Sequence, residues 1–156
     1  MQLSIIIVNY NVKQLLEQCL YSVLKAIGFS GAKTEIIIID NYSTDGSMEF
    51  LKTKFPAVKL ISNNENLGFA KACNQGIKES SGKYILFLNP DTIVPEDCFQ
   101  KCISFFESHN DAGGIGVKMT DANGKFLKES KRGFPSPATS FYKLFGLAKL
   151  FPQSKM

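Results

Sequence analysis

The sequence contains a single histidine, His109, and only four cysteines in 156 residues, with no CxxC pair among them. Cys98 and Cys102 are spaced i, i+4, which could suit a metal, but the other ligands of a zinc site are missing. Each cysteine falls on the apolar side of a predicted helix: Cys19, Cys73, Cys98 and Cys102. We therefore predict structural thiols in a reducing compartment.

The chain also lacks a long apolar run. No segment approaches the roughly 20 apolar residues of a membrane-spanning helix. The first four residues carry no basic group, and the apolar run Ile5–Val8 is too short for the core of a signal peptide. We therefore predict neither a targeting signal nor a membrane span.

Several nucleotide-binding signatures are missing as well. The first predicted strand is not followed by GxGxxG, and no GxxxxGK[ST] occurs, so an ordinary dinucleotide-binding domain and a P-loop are both excluded. The same turn holds Asn9 and Asn11 instead of the acid pair of a response-regulator receiver. It also lacks the glycine- and arginine-rich loop of a sugar nucleotidyltransferase.

The composition is that of one soluble globular domain, with 44% hydrophobic and 21% charged residues. Its charge is uneven, because residues 1–117 have a net charge of −2 and residues 118–156 a net charge of +6. The basic part could attract phosphates, anionic lipid or nucleic acid, or it could be a solvated tail. The charge alone leaves these alternatives open.

Short, continuously apolar runs alternate with helical patterns along the chain. Such runs are typical of strands covered on both faces, so we predict an α/β fold with a mostly parallel central sheet. The predicted strands are 4–8, 35–39, 58–62, 84–88 and 114–119, and the predicted helices are 12–24, 48–54, 67–79 and 95–106. We expect Asn11 to cap the first helix and residues 121–125, DANGK, to form a hairpin turn.

Each of the first four strands ends in asparagine or aspartate. The sequences at these ends are Asn9-Tyr10-Asn11, Asp40-Asn41, Asn63-Asn64-Glu65-Asn66 and Asn89-Pro90-Asp91. Such residues are common in turns, so one of these ends alone carries little weight. In an open parallel sheet, however, ligands bind outside the carboxyl ends of the strands. Four polar ends at one edge therefore predict a ligand site.

The four segments SIIIVNYN, EIIIIDNYSTDGS, NENLGFAKACNQGI and YILFLNPDTIVPED resemble, in this order, the nucleotide-sugar-binding half of inverting glycosyltransferases of family 2. The spelling N-L-G-F-A-x-A-x-N with N-P-D is most similar to the rhamnosyltransferase-type branch. The resemblance implies a Rossmann-like three-layer sandwich of GT-A type over residues 1–118. Residues 119–156 would then begin an acceptor-side region, and the domain would be truncated.

The resemblance also implies roles for individual residues. Asp91 would hold Mg²⁺ or Mn²⁺ on the donor diphosphate, in a place where the family commonly has Asp-x-Asp and this chain has Asn89 first. Asp40 would bind the base or ribose, and Tyr10 would stack on the base or pack in the core. Residues expected to line the donor site are Val8, Asn9, Tyr10, Asp40, Asn41, Asn66, Gly68, Lys71, Asn74 and Asn89.

The expected substrate is a UDP- or dTDP-sugar, and the expected acceptor a glycan or lipid-linked molecule at the inner face of the cytoplasmic membrane. The family's catalytic base lies downstream, and the only acids after Met119, Asp121 and Glu129, do not resemble its motif. We do not expect nucleic-acid binding. The basic, aromatic segment 128–155 could lie on a membrane or pack on a missing half, and in the second case its exposed apolar face could mediate a homodimer. Two alternatives to a transferase remain: a non-catalytic nucleotide-sugar-binding module and a small membrane- or partner-binding domain.

Overall fold

The computed structural model of the chain describes residues 1–121 and 123–127. The chain divides into two compact units, Met1–Asn110 and Asp111–Met156. The first unit contains four strands and four helices in strict alternation. They are β1 (Leu3–Asn9), α1 (Lys13–Ser30), β2 (Thr34–Asp40), α2 (Ser47–Lys54), β3 (Lys59–Ser62), α3 (Phe69–Lys78), β4 (Tyr84–Leu88) and α4 (Cys98–Ser108). Within the described residues, no helix combines the length and the apolar character needed to cross a membrane.

The four strands form one parallel sheet in the order β3-β2-β1-β4. β1 lies in the interior and pairs with β2 up to Asn9 opposite Asp40. On its other side β1 pairs with β4 up to Ile7 opposite Leu88. All three strand pairs are parallel, so the mostly parallel α/β sheet expected from the sequence is confirmed. Parallel neighbours need a crossover connection, and the helices between the strands provide it.

Helices cover the two faces of the sheet unequally, and together they make three layers. Alternate side chains of β1 point to opposite faces, so Ile5 and Ile7 enter one core and Ile6 enters the other. The larger core joins the sheet to α1, α2 and α4, and it includes Leu3, Ile5, Ile7, Leu16, Leu20, Val23, Ile38, Leu51, Leu88 and Phe99. The smaller core joins Ile6, Ile37 and Ile39 to Ala72 of α3.

Gly76 allows α3 to lie close to the sheet. A Cβ atom at this position would be 2.5 Å from Cγ2 of Ile6 and 3.0 Å from Cδ1 of Ile39. Both isoleucines are buried, with exposed fractions of 1% and 0%. The absence of a side chain at position 76 therefore sets the distance between α3 and β1–β2.

Coverage on both faces, expected for every strand, holds only for β1 and β2. Ile85 and Phe87 of β4 are 41% and 47% exposed, and β3 has no fully buried residue. The reason is that α3 packs over β1 and β2. Within the described residues, the face of β4 on the same side of the sheet as α3 is therefore open to solvent.

The expected fifth strand, 114–119, is wrong. Residues 113–120 are exposed, and in the described part of the chain they form no strand; Thr120 makes an isolated bridge with Phe126, and the Met119 carbonyl accepts from Leu127 N–H at 3.0 Å. Glycines at 113, 114 and 116 weaken a strand here because they give no side chain to pack and lose the most backbone entropy. The DANGK turn within the second unit is confirmed: Asp121 N–H donates to the Lys125 carbonyl at 2.9 Å, and Gly124 has φ 77°.

Asn11 does not cap α1 as the sequence suggested. The residue at the cap is Val12, which makes no side-chain capping bond. Asn11 has a left-handed backbone, φ 54°, and its side-chain oxygen accepts a hydrogen bond from Thr44 N–H at 2.8 Å. Its amide therefore serves a contact between two turns.

All four cysteines lie on helices and are free thiols. Cys19 and Cys73 are buried, whereas Cys98 and Cys102 are half-buried on neighbouring turns of α4. The Cys98 thiol donates a hydrogen bond toward Cys102, which lowers the pKa of Cys102 to about 7 although partial burial works against ionisation. Burial raises the pKa of Cys19 to about 11.

Glu35 closes the amino-terminal edge of the sheet, opposite the predicted ligand site. One of its carboxylate oxygens accepts hydrogen bonds from Ser4 Oγ at 2.6 Å, Ser81 N–H at 2.7 Å and Ser81 Oγ at 2.8 Å. Partial burial opposes ionisation, but these donors outweigh it and lower the pKa of Glu35. The contact connects β1 and β2 to the loop that precedes β4.

The basic, aromatic segment 128–155 lies outside the described residues. Its predicted membrane contact and dimer therefore stay predictions, as does its predicted apolar face of Phe141, Leu144, Phe145, Ala148 and Phe151.

Candidate functional site

The carboxyl edge of the sheet brings the predicted polar strand ends together. From β1 the chain moves outward through β2 to β3 and then returns to place β4 on the other side of β1. The strand order therefore reverses between β1 and β4, which is where open α/β sheets bind ligands. Asn9 ends β1 on one side of this switch point, and Asn89 follows β4 on the other.

Asp40 is the most buried acid at this edge. It is 1% exposed, and its two carboxylate oxygens accept hydrogen bonds from different donors. Asn9 Nδ2 donates to Oδ1 at 2.7 Å, and Ser43 N–H donates to Oδ2 at 2.9 Å. A carboxylate oxygen has room for more than one donor, so Asp40 can still accept from a ligand.

Asn9 is wholly buried and orients this acid. Its Nδ2 also donates to Ser43 Oγ at 3.1 Å, so one amide joins the end of β1 to the turn after β2. Its Oδ1 is buried and finds no donor within the described residues. An unsatisfied buried carbonyl costs about 1–3 kcal/mol. The fold therefore gives up some stability where Asn9 holds Asp40.

The turns after β1 and β2 are fastened to each other. Ser43 Oγ accepts from Asn11 N–H at 3.0 Å, and Lys13 N–H donates to Asp45 Oδ2 at 2.9 Å. Burial works against ionisation of Asp45, but hydrogen bonds from Ser47 and Lys13 outweigh it and lower its pKa. Asp45 is therefore occupied by the backbone at the start of α1 and by Ser47.

A second network consists of side-chain amides and reaches the loop before α3. Asn63 Nδ2 donates to Asn41 Oδ1 and to Gln75 Oε1, both at 2.9 Å, and Gln75 Nε2 returns a bond to Asn63 Oδ1 at 2.8 Å. Asn41 Nδ2 then reaches the Gly68 carbonyl at 3.4 Å. The network fixes Gly68, whose φ of 78° and ψ of 165° suit only glycine.

Asn89 and Asp91 are exposed after the end of β4. The Asn89 carbonyl accepts from Thr92 N–H at 3.3 Å and from the Cys19 thiol at 3.7 Å, which holds the turn against α1. Within the described residues, no three acidic, histidine or cysteine side chains are grouped to bind a metal. The donor set is one carboxylate and one amide. Such a set fits a hard cation that also takes oxygens from a bound phosphate and water.

The remaining predicted residues lie at or near this edge with exposed side chains or backbone. The Tyr10 side chain is 48% exposed, so it does not pack in the core, which was one of the two alternatives for its ring. Lys71 and Asn74 are exposed on α3, Val8 is half-buried in β1, and Asn66 Oδ1 accepts from Gly68 N–H at 2.9 Å.

Sequence reasoning gave no individual role to the residues that hold the site from behind, Ser43, Asn63 and Gln75, although it placed Asn63 among the polar strand ends. Ser43 follows Asp40 by three residues, a spacing at which a capping side-chain oxygen accepts from a backbone N–H, so this signal was available. Asn63 and Gln75 are 12 residues apart, and no local pattern links them.

Comparison with known proteins gives a consistent result. The family model described as Glycosyl transferase family 2 matches residues 4–153. The minor teichoic acid biosynthesis protein GgaB of Bacillus subtilis is 31% identical over 127 residues, which are 78% of this chain and 14% of that protein.

Two solved structures share the fold. The crystal structure of Staphylococcus aureus TarS 1–349 in complex with UDP-GlcNAc has a TM-score of 0.70 at 24% identity, covering 87% of this chain and 37% of that one. The mannosyltransferase PcManGT of Pyrobaculum calidifontis, in complex with GDP-Man and Mn²⁺, has a TM-score of 0.63 at 22% identity, covering 76% and 36%. The chain thus spans less than half the length of each of these relatives.

Proposed function

This chain belongs to glycosyltransferase family 2, and we propose that it binds a nucleoside-diphosphate sugar along the carboxyl edge of its sheet. The sugar would pass to a glycan or lipid-linked acceptor with inversion at the anomeric carbon. The observation that carries the proposal is the placement of two acids on either side of the switch point. Asp40 is buried and fixed at the end of β2, and Asp91 is exposed beyond the end of β4.

We propose that the base or ribose of the donor binds next to Asp40, at the end of β2. The carboxylate is oriented by Asn9 and Ser43, so it can accept an N–H or O–H donor without reorganising. The exposed ring of Tyr10, next to Asn9, offers a face on which a base can stack. Gly68, held by Asn41, lets the backbone come close to the nucleotide.

We assign the diphosphate to the Asp91 end. The ends of β2 and β4 lie on either side of β1, and neighbouring strands are about 5 Å apart, so the two ends are roughly 10 Å apart. Asp91, with Asn89 beside it, would hold Mg²⁺ or Mn²⁺ together with the phosphate oxygens. When bound, such a cation neutralises charge on the departing diphosphate. PcManGT was solved with GDP-Man and Mn²⁺, which supports this assignment.

The relatives suggest a setting. GgaB is a teichoic acid biosynthesis protein, and a poly(ribitol-phosphate) β-glucosyltransferase of Bacillus spizizenii is 31% identical over 134 residues. We therefore propose a role in cell-surface polymer synthesis at the inner face of the cytoplasmic membrane. The rhamnosyltransferase-type branch suggested by the spelling of the motifs stays a prediction.

Calorimetric titration of UDP, dTDP and GDP, with and without Mn²⁺, tests the proposal. We expect one nucleotide to bind more tightly with Mn²⁺. Asp91→Ala should weaken that binding at least about tenfold, the loss expected for a contact to a charged group. The matched control is Glu96→Ala, because Glu96 is an exposed acid in the same loop between β4 and α4.

Asp40→Asn provides the second arm, since it keeps the size of the side chain but replaces one accepting oxygen with a donor. It should weaken nucleotide binding with and without Mn²⁺. Binding that survives both Asp40→Asn and Asp91→Ala would refute the proposed site, and the failure of all three nucleotides to bind the wild-type chain would refute donor binding itself.

A further inference from the structure

Tyr42 has an unusual backbone conformation for its residue type. It lies in the turn after β2 with φ 70°, in the left-handed region, and its side chain is 57% exposed. Left-handed geometry brings Cβ close to the following carbonyl and costs a residue such as tyrosine roughly 1–2 kcal/mol. Glycine or asparagine would take this conformation at lower cost. The chain thus keeps a large aromatic side chain where a small one would be more stable.

The strain is imposed by the turn and not by the tyrosine ring. Asn41 N–H donates to the Asn9 carbonyl at 2.9 Å, Ser43 N–H to Asp40 Oδ2 at 2.9 Å, and Thr44 N–H to Asn11 Oδ1 at 2.8 Å. Across the described part of the chain, no hydrogen bond or ring contact of the Tyr42 side chain occurs. The ring therefore does not hold the turn in place. Strained residues that the fold does not need are concentrated at functional sites.

The position of Tyr42 connects it to the donor site. Asn9 pairs with Asp40 in the sheet, and the next hydrogen bond of the ladder runs from Asn41 to Asn9. Tyr10 and Tyr42 therefore follow on adjacent turns, which Ser43 Oγ ties together by accepting from Asn11 N–H. Both side chains are about half exposed, and they follow Asn9 and Asp40, whose side chains are buried and hydrogen-bonded to each other.

We infer that Tyr42 is a further nucleotide-binding residue of the donor site, and that its ring stacks on the nucleobase together with Tyr10. This inference rests on the proposed function. Stacking accepts any base, because every base has a π face. Asp40 between the two turns adds a hydrogen-bond acceptor that distinguishes bases by their edges. Stacking would supply affinity for the base and Asp40 would supply discrimination between bases, which explains why a strained tyrosine is kept at this position.

The test compares three variants with the wild-type chain in calorimetric titration against whichever of UDP, dTDP and GDP the wild type binds. Tyr42→Asn and Tyr42→Gly remove the ring and relieve the backbone, and Tyr42→Phe keeps the ring. We expect Tyr42→Asn and Tyr42→Gly to raise the Kd at least about fivefold, the lower end of what one stacking contact contributes. Tyr42→Phe should stay within about twofold of the wild type.

Thermal unfolding of the same variants separates binding from structure. Tyr42→Asn should raise Tm, because asparagine tolerates the left-handed backbone without the added chain entropy of glycine. A protein that becomes more stable and yet binds more weakly has lost a ligand contact and not a structural one.

A Kd unchanged in Tyr42→Asn and Tyr42→Gly would overturn the inference. If Asp40→Asn still weakened binding in that case, the donor site would stand and only the role of Tyr42 would fall. If the wild-type chain bound none of the three nucleotides, the inference would fall with the proposed function.

Discussion

A matched pair of glycine substitutions tests the packing of α3 against the sheet. Gly76→Ala places a methyl group in α3 where Cγ2 of Ile6 would be 2.5 Å away and Cδ1 of Ile39 3.0 Å away. Gly28→Ala makes the same change in α1, at a position with no atom within 4 Å of the new Cβ. Both glycines lie inside helices, so the two variants differ mainly in the space around the added group.

The size of the effect follows from two opposing contributions. Replacing glycine by alanine inside a helix stabilises it by about 0.5–1 kcal/mol at either position. At Gly76 the methyl group also overpacks a core whose isoleucines are 1% and 0% exposed and cannot swing into solvent. Inserting a methyl group into a filled core costs about 1–3 kcal/mol. The helix contribution cancels between the variants, so Gly76→Ala should be less stable than Gly28→Ala by about 1–3 kcal/mol.

Urea unfolding followed by circular dichroism measures this difference directly. Gly28→Ala should shift the midpoint upward and Gly76→Ala downward, with the same slope as the wild type because neither change alters the surface exposed on unfolding. The reasoning would be refuted if the two variants differed by less than about 0.5 kcal/mol, since that would mean that α3 has room for a methyl group.

Two further predictions concern titratable groups. Glu35→Gln should lower the free energy of unfolding at neutral pH, because folding lowers the pKa of Glu35. The stability that the Glu35 carboxylate contributes is present above its unfolded pKa of about 4.3 and is lost as the pH falls through its folded pKa. The difference in the free energy of unfolding between Glu35→Gln and the wild type should therefore narrow on acidification. A difference independent of pH would contradict the role of Ser4 and Ser81 as donors. Cys102 should react with iodoacetamide at neutral pH faster than Cys19, because burial raises the pKa of Cys19 to about 11. Cys98→Ala should slow the reaction of Cys102, because it removes the hydrogen-bond donor that lowers the pKa of Cys102. Peptide mass spectrometry measures both rates, and equal labelling of Cys102 with and without Cys98 would exclude the effect.

The sequence was most informative where one physical cause determines both pattern and structure. The run Ile5–Val8 is apolar at every position because β1 is covered on both faces, and it was predicted to within one residue at each end. The run 84–88 also matches β4, although only one face of that strand is covered in the described residues. Apolarity alone did not reveal that β4 is an edge strand of the described sheet, because strand order depends on which crossover returns past β1.

The failures also have local physical reasons. Residues 114–119 have apolar side chains typical of a strand, but glycines at 114 and 116 interrupt them and these residues are exposed, so they form no strand in the described part of the chain. Asn11 satisfies the composition rule for a helix cap, yet its side chain contacts Thr44, a residue 33 positions away. Left-handed backbone at Tyr42 could not be predicted, because nothing in a tyrosine side chain favours it.

The site residues were identified by type and location, but their division into two groups depends on burial, which the sequence does not show. At the β2 end, the buried side chains of Asp40 and Asn9 form a fixed arrangement with half-buried Ser43 before any ligand arrives. At the β4 end, Asp91 is exposed, and the amide of Asn89 replaces a second charge. Preorganised contacts lose little entropy on binding, whereas an exposed carboxylate must be ordered by what it binds. Under the proposed function, the nucleoside end therefore sets the orientation of the donor, and the diphosphate end depends on a cation that arrives with it.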